Sequence, residues 1–289
     1  MTSLMETMRG GIMKSQIIVD SCCDLTAEMK CEMGISSVPL TMLLGDKEYC
    51  DDDSLNVSEF VSDMGKFAGK ASSASPSPFL YQDAIEGIDN AYIVTLSSKL
   101  SGSYSNAVIG NNDSIENGNT SACLFDSKSA SAGETLITIK LHELIQANLP
   151  KELIVKTLHR FIDNMKTYFV LENYDNLKKN GRLNKVAGSF VQLFNIKLIM
   201  GADGNGEIAL FEKCRGAKKM VQQLISLIAT SGKDIKNENL VISHCNNPSF
   251  AGELKRLIEE RFNFKKIYIV PTGGLSSMYV DDKGIVFAF

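Results

Sequence analysis

Serine hydroxyls gather in three polar loops of this chain, each directly after a short apolar segment. The loops are Asp20-Ser21, Ser97–Ser103 and Asp126–Ser129. A hydroxyl offers one donor and two acceptor sites, so clustered hydroxyls and loop amides bind a carboxylate or a phosphate well. They do not by themselves activate a nucleophile, which requires a neighbouring base. The residues therefore favour a site for an anion-headed ligand over a hydrolytic centre, although serines such as Ser127 and Ser129 are also typical helix caps.

Motifs of several common enzyme classes are absent from the sequence. The chain has no G-x-S-x-G elbow of a serine hydrolase and no phosphate-binding P-loop. His142-Glu143 begins like the zinc motif H-E-x-x-H, but Gln146 replaces the second histidine. Gly204-Asn205-Gly206 is typical of a turn and lacks the spacing of a dinucleotide fingerprint. We therefore expect no metal and no cofactor.

Composition excludes further classes. The chain has 289 residues and a net charge of −4, with 44% apolar and 22% charged residues, which is ordinary for a soluble globular protein. A mildly acidic chain is unlike a general nucleic-acid binder, which needs a basic face. No apolar run reaches the ~18–20 residues of a membrane helix. The seven cysteines lack a C-x-x-C pair and favour reduced thiols in the cytoplasm.

The apolar segments before the polar loops must position them. Gln16–Asp20, Ala91–Leu96 and Ser121–Phe125 each have the length and composition of a buried strand, and a helix is expected after each loop. Repeated strand–loop–helix units predict a parallel sheet. Because ligands bind beyond the carboxyl ends of such strands, the three loops should meet in one crevice. The segment Ala71–Pro78, with four serines and two prolines, is predicted to be a loop.

The second half of the chain has a different pattern. Helices are predicted over Ser131–Ala147 and Lys151–Met165, separated near Pro150. Apolar segments on both sides of the glycine turn Asp203–Gly206 predict a hairpin. Further strands and helices alternate to the end of the chain.

These patterns predict two α/β domains, the first with a largely parallel sheet. We place the boundary near residues 160–172, which gives an N-terminal domain over 15–165 and a C-terminal domain over 166–289. This division leaves open whether the C-terminal strands return to the first domain. Residues 1–14 are expected to be disordered or foreign to the natural protein, because Met13-Lys14 directly precedes the first predicted strand.

The polar loops also resemble those of the DegV family. Asp20-Ser21-x-x-Asp24-Leu25 matches the family's D-S-x-x-D-L motif. Ser73–Pro78 is similar to its T-S-x-P-S-P loop, with Ser for Thr and Ala for Ser. The other segments that resemble the family, in order along residues 16–289, are Ser97–Tyr104, Asp126–Gly133, Gly181–Leu183, Asn195–Lys197 and Lys213–Arg215.

The resemblance implies a fold and a function. It implies two α/β domains with a ligand tunnel between them that holds one long-chain fatty acid. Better-studied members of the family are the fatty-acid-binding subunits of bacterial fatty acid kinase. They hold the acid while a separate kinase subunit phosphorylates its carboxylate from ATP, and the acyl phosphate enters phospholipid synthesis. The resemblance thus implies a lipid carrier without catalytic residues of its own.

The resemblance also implies which residues bind the ligand. The carboxyl head would contact Ser73 and Ser101 beside the Gly102 amide. Arg182 and Arg215 would lie near the head-group opening or the contact with the kinase. The remaining predicted ligand-binding residues are Asp20, Ser21, Ser97 and Met278.

The C-terminal segment departs from the family. Its members usually carry a histidine followed by G-P-G near the carboxylate, whereas Ser276–Asp282 of this chain has Met278 at the histidine position. An apolar Met cannot donate a hydrogen bond to a carboxylate. We therefore expect fatty-acid binding with poor coupling to the kinase, unless Tyr279 or Ser277 fills the place of the histidine.

Two other functions fit the same residues. In one, a loop serine is the nucleophile of a transferase or hydrolase. In the other, the crevice binds a different anionic small molecule, such as a phosphorylated one. The three hypotheses differ in whether the bound group is a fatty acid, a covalent adduct or another anion.

Overall fold

The computed structural model describes residues 15–119, 121–189 and 196–289. Residues 1–14, for which a prediction was made, lie outside these ranges. Asn195, the first residue of one family motif, also lies outside them. The described residues form a mixed α/β protein with three sheets, which confirms the predicted fold class. Among the described helices, none has the length and apolar character needed to cross a membrane. All seven cysteines are free.

The three polar loops follow strands of a four-stranded parallel sheet. Its elements and the helices around it are β1 (Ser15–Asp20), α1 (Ala27–Met33), β2 (Ile35–Val38), α3 (Pro78–Ile85), β6 (Asn90–Thr95), α4 (Ser103–Glu116), β7 (Cys123–Asp126), α5 (Ala132–Gln146) and α6 (Lys151–Asn164). The strand order is β2-β1-β6-β7. Ile18 and Ile93 pack with α3 and α4 on one face, and Ile17 and Val94 pack with α5 and α6 on the other. The parallel pairing of these strands confirms the predicted sheet. Burial on both faces explains why the strands are continuously apolar.

A small antiparallel sheet corrects one prediction. It consists of β3 (Thr41–Leu44), β4 (Lys47–Cys50) and β5 (Ala71–Ala74), with α2 (Val57–Lys66) between the last two strands. The prediction of a loop over Ala71–Pro78 is wrong for its first four residues, because β5 pairs along the whole of β3. Backbone pairing with an available edge outweighs the low strand propensity of serine. The prolines follow the strand and do not interrupt it.

The second half forms a six-stranded mixed sheet. Its elements are β8 (Thr167–Val170), α7 (Asp175–Lys179), a 3-10 helix (Asn184–Ser189), β9 (Ile196–Ala202), β10 (Ile208–Arg215), α8 (Ala217–Ala229), β11 (Asn239–His244), α9 (Pro248–Glu259), β12 (Lys266–Pro271), α10 (Gly274–Val280) and β13 (Ile285–Ala288). The order is β10-β9-β8-β13-β11-β12, and β9 and β10 are the predicted hairpin. The last strand lies between β8 and β11, so it joins this sheet and not the parallel one. The exact domain limits stay a prediction.

Helix α10 leaves the second sheet and packs against the first half of the chain. Its Leu275 and Met278 side chains are buried with Met42 and Phe60. The carboxylate of Asp51 accepts hydrogen bonds from the backbone N–H groups of Gly274 (2.8 Å) and Leu275 (2.9 Å). An acceptor at this position satisfies N–H groups that the helix itself leaves unpaired.

Replacing Asp51 with Ala should therefore destabilise the protein. The substitution leaves two buried N–H groups without an acceptor, and we expect the free energy of unfolding to fall by about 1–3 kcal/mol. Urea unfolding measures this loss. Asp53→Ala is the control, because the Asp53 side chain is 87% exposed and pairs with Lys30 at the surface. Equal losses in the two variants would contradict the role given to Asp51.

Candidate ligand-binding cavity

Residues from both halves of the chain border a cavity. Most of the lining side chains are apolar, and the loops of the parallel sheet face strands of the six-stranded sheet across it. Representative lining residues are Leu96, Leu100 and Ala130 from the first half, and Phe169, Leu171, Ile208, Leu275 and Val286 from the second half. A concave, mainly apolar space suits an apolar ligand. A continuous tunnel stays a prediction.

The Asp20 carboxylate joins two of the polar loops beside this cavity. Its Oδ1 accepts a hydrogen bond from the Cys22 backbone N–H (3.1 Å). Its Oδ2 accepts from the Leu96 backbone N–H (2.9 Å) and from the Ser103 hydroxyl (2.5 Å). Burial raises the pKa of the Asp20 carboxyl to about 6, and the hydrogen bonds oppose that rise.

The third loop is connected to the same cluster. The Asp126 carboxylate accepts hydrogen bonds from the Ser98 N–H (3.1 Å) and the Lys128 N–H (2.9 Å). The Ser97 N–H donates to the Ser129 carbonyl (2.7 Å). The three loops therefore converge, as the strand–loop–helix pattern predicted.

The side chains of Asp20, Ser21 and Ser97 connect protein segments to one another. The Ser21 hydroxyl accepts a hydrogen bond from the Leu40 N–H (3.0 Å). The Ser97 hydroxyl donates to the Gly206 carbonyl (2.7 Å) and so links the first half of the chain to the hairpin of the second. None of these three residues is in the cavity lining. Their predicted contact with a ligand stays a prediction.

Ser73, Ser101 and Gly102 lie on the first-half side of the cavity, next to lining residues. The Ser73 hydroxyl is 3.0 Å from the hydroxyl of Tyr279, whose side chain lines the cavity. Ser101 directly follows the lining residue Leu100 in the chain, and its hydroxyl accepts a hydrogen bond from the Ser103 N–H (3.2 Å). Gly102 is the N-terminal cap of α4.

The two predicted arginines occupy different places. Arg182 lines the cavity; its Nε donates to the Leu100 carbonyl (3.1 Å), and its guanidinium lies 5.8 Å from the centre of the Tyr279 ring. Arg215 is the exposed last residue of β10 and is not in the lining. The structure thus brings Arg182 and Ser73 together around Tyr279 at the cavity.

Met278 occupies a different environment from the one its predicted role requires. Its side chain is fully buried among apolar residues of the cluster around Met42 and does not line the cavity. The next residue, Tyr279, lines the cavity instead and carries the polar group. The sequence singled out Tyr279 only as an alternative to the missing histidine, because helix phase decides which of two neighbours faces the cavity.

The fold and the cavity define an α/β protein with an apolar space between two sheets. The chain matches the model of the DegV family, described as an uncharacterised protein family, over residues 14–289. A DegV domain-containing protein of Streptococcus pyogenes serotype M1 is 33% identical over 278 residues, which cover 95% of this chain and 98% of the relative. The chain belongs to the DegV family, as its loop motifs predicted.

Solved structures of the family are similar along their whole length. A Ruminococcus gnavus DegV family protein with vaccenic acid has 38% identity and a TM-score of 0.92, covering 96% of this chain and 100% of that protein. The Fatty Acid Kinase (Fak) B3 protein of Streptococcus pneumoniae, loaded with linoleic acid, has 34% identity and a TM-score of 0.87, covering 96% and 99%. Both relatives hold a fatty acid, which agrees with the expectation of a binding protein and not an enzyme.

The Ser97 hydroxyl offers a test of the link between the two halves. Ser97→Ala leaves the Gly206 carbonyl without this buried donor, so the free energy of unfolding should fall by about 1–2 kcal/mol. Ser98→Ala is the matched control, since Ser98 contacts Asp126 through its backbone N–H. Urea unfolding compares the two variants. If Ser97→Ala were as stable as wild type, the Ser97–Gly206 hydrogen bond would not hold the halves together.

Proposed function

We propose that this protein is a cytoplasmic carrier that binds one long-chain fatty acid non-covalently in the cavity. The observation that carries the proposal is the mainly apolar lining, with the Tyr279 hydroxyl and the Arg182 guanidinium close together in it. A fatty acid has the same division between an apolar chain and an anionic head. The fatty acids held by the R. gnavus and S. pneumoniae relatives support this assignment.

The acyl chain supplies most of the binding free energy in this proposal. Sixteen methylenes at ~0.8 kcal/mol each give a gross gain of roughly 13 kcal/mol before the costs of association. A hydrogen bond to the carboxylate contributes much less and mainly fixes the orientation of the ligand. In this proposal the affinity depends on the apolar lining, and the position of the head depends on the polar groups that contact it.

We assign the carboxylate head to Ser73, Ser101, Tyr279 and Arg182. The Ser73–Tyr279 hydroxyl pair offers donors, and the Arg182 guanidinium provides a positive charge beside the Tyr279 ring. In this arrangement Tyr279 takes the role of the family histidine, and Met278 only packs in the core beneath it.

The protein would then present the head group to a separate kinase subunit, which forms the acyl phosphate. The similarity to the S. pneumoniae Fak B3 protein supports this step. A serine-dependent transferase or hydrolase is less well supported, because no histidine stands in the lining among the described residues.

Ser101→Ala should weaken retention of the fatty acid. Loss of one hydrogen bond to a charged group costs about 1.5–3 kcal/mol, which is roughly a ten- to hundredfold loss of affinity. Titration of delipidated protein with oleate measures the change. Ser54→Ala serves as the control, because Ser54 contacts Asp52 in an exposed loop. Unchanged oleate affinity in Ser101→Ala would count against this residue as a ligand.

Tyr279→Phe tests the replacement of the family histidine. The ring and its packing remain, but the hydroxyl beside Ser73 is lost, so we expect about tenfold weaker oleate binding and slower acyl-phosphate formation. The assay combines the oleate titration with a reaction containing a bacterial fatty acid kinase subunit and ATP. Tyr268→Phe, on the partly buried strand β12, is the matched control. Wild-type values for Tyr279→Phe would exclude a head-group role for its hydroxyl.

A further inference from the structure

Glu134 is a buried carboxyl group whose oxygens accept no hydrogen bond from a protein donor. It lies in the first turn of α5, is completely inaccessible to solvent, and its hydrogen-bonding neighbour among the described residues is another carboxyl group, that of Asp20. Burial of an unpartnered polar group is costly, and a charged one costs far more. Such a residue points to a missing proton, water or ion.

Two potential ligand atoms face Glu134. One carboxylate oxygen of Glu134, one of Asp20 and the Sγ of Cys22 all lie within 4.8 Å of one another. All three residues are buried. No ion pair among the described residues includes any of them. Burial and the nearby Asp20 and Asp24 carboxylates raise the pKa of Glu134. The cluster therefore lacks positive charge.

We propose that Asp20, Cys22 and Glu134 form a zinc-binding site next to the ligand cavity. One thiolate and two carboxylates suit Zn²⁺, whereas Mg²⁺ and Ca²⁺ take oxygen ligands. Ligand atoms around tetrahedral zinc are separated by about 3.3–3.5 Å, given Zn–O and Zn–S distances of about 2.0 and 2.3 Å. Small side-chain rotations bring atoms that already lie within 4.8 Å of one another to those separations.

The three side chains have free coordination capacity. Asp20 accepts three hydrogen bonds, which leaves one of the roughly four acceptor sites of a carboxylate for a metal. Neither oxygen of Glu134 accepts a hydrogen bond from a protein donor, and zinc would replace the proton that Glu134 shares with Asp20. The Cys22 Sγ has a weak contact at 3.9 Å with the Ser276 hydroxyl. The side chains can therefore bind zinc without breaking the hydrogen bonds that join the loops.

The charge balance and the route of access also favour this site. Zinc replaces two protons, one from the Cys22 thiol and one from the Glu134 carboxyl, so the net charge of the buried cluster does not change. Cys22 lines the cavity, which gives the ion a path and leaves the fourth coordination position for a water on that side. No sequence motif predicted this site, because Asp20 and Cys22 at the end of β1 are distant in sequence from Glu134 in α5.

Cobalt substitution provides a direct test on the full chain. Exposed Cys31 and Cys50 are first replaced by Ser, so that they do not bind metal. Metal-depleted protein is titrated with Co²⁺, and a thiolate-to-cobalt charge-transfer band should appear, saturate at one equivalent and disappear on addition of Zn²⁺. Glu134→Gln should weaken cobalt binding at least about tenfold, and Cys22→Ser should abolish the band.

Cys23→Ser is the matched control. The Cys23 thiol is also buried, but its Sγ contacts the Thr138 hydroxyl (3.4 Å) and is not in the cluster, so this variant should keep the band. Circular dichroism verifies folding; if Cys22→Ser does not fold, Glu134→Gln decides. Absence of the band in the parent protein, equal cobalt affinity in Glu134→Gln, or loss of the band in Cys23→Ser would overturn the proposal. The first of these would identify Glu134 as a carboxyl that simply keeps its proton.

Discussion

The buried carboxylate of Asp20 is the interaction on which the cavity depends. Its three hydrogen bonds hold the loop after β1 against the loop after β6 and the first residue of α4. A similar arrangement fixes a neighbouring part of the lining, where Asp51 holds the N-terminus of α10, the helix that carries Tyr279. Buried aspartates thus position the loops, and the positions of the loops determine where their hydroxyl groups lie.

The cavity also depends on links between the two halves of the chain. The Ser97 hydroxyl reaches the Gly206 carbonyl, the Arg182 side chain reaches the Leu100 carbonyl, and the Asn180 amide reaches the Ala71 carbonyl. Each link ends on a backbone carbonyl, so it orients a whole segment and not a single side chain. The apolar side chains between these links can then contact a ligand. The polar groups that hold the cavity together are thus different from the apolar groups that line it.

The fold was predictable where local pattern and burial agree. Strands such as Ala91–Leu96 are buried on both faces, so their apolar runs identified the parallel sheet and the convergence of its loops. Strand β5 was not predictable, because Ser72 and Ser73 pair through their backbone with β3, a contact distant in sequence. Likewise the loop motif identified Asp20 but not its partners, and nothing in the sequence distinguished Met278 from Tyr279 or placed Glu134 beside Cys22.

Native and denaturing mass spectrometry of the purified full chain test the central claim, binding of a fatty acid in this cavity, most directly. The account predicts a native mass that exceeds the chain mass by one long-chain fatty acid, with the increment lost on denaturation. A ligand-free native mass that stays unchanged after incubation with oleate would contradict it. An increment that survives denaturation would also contradict it and would indicate a covalent adduct on a loop serine.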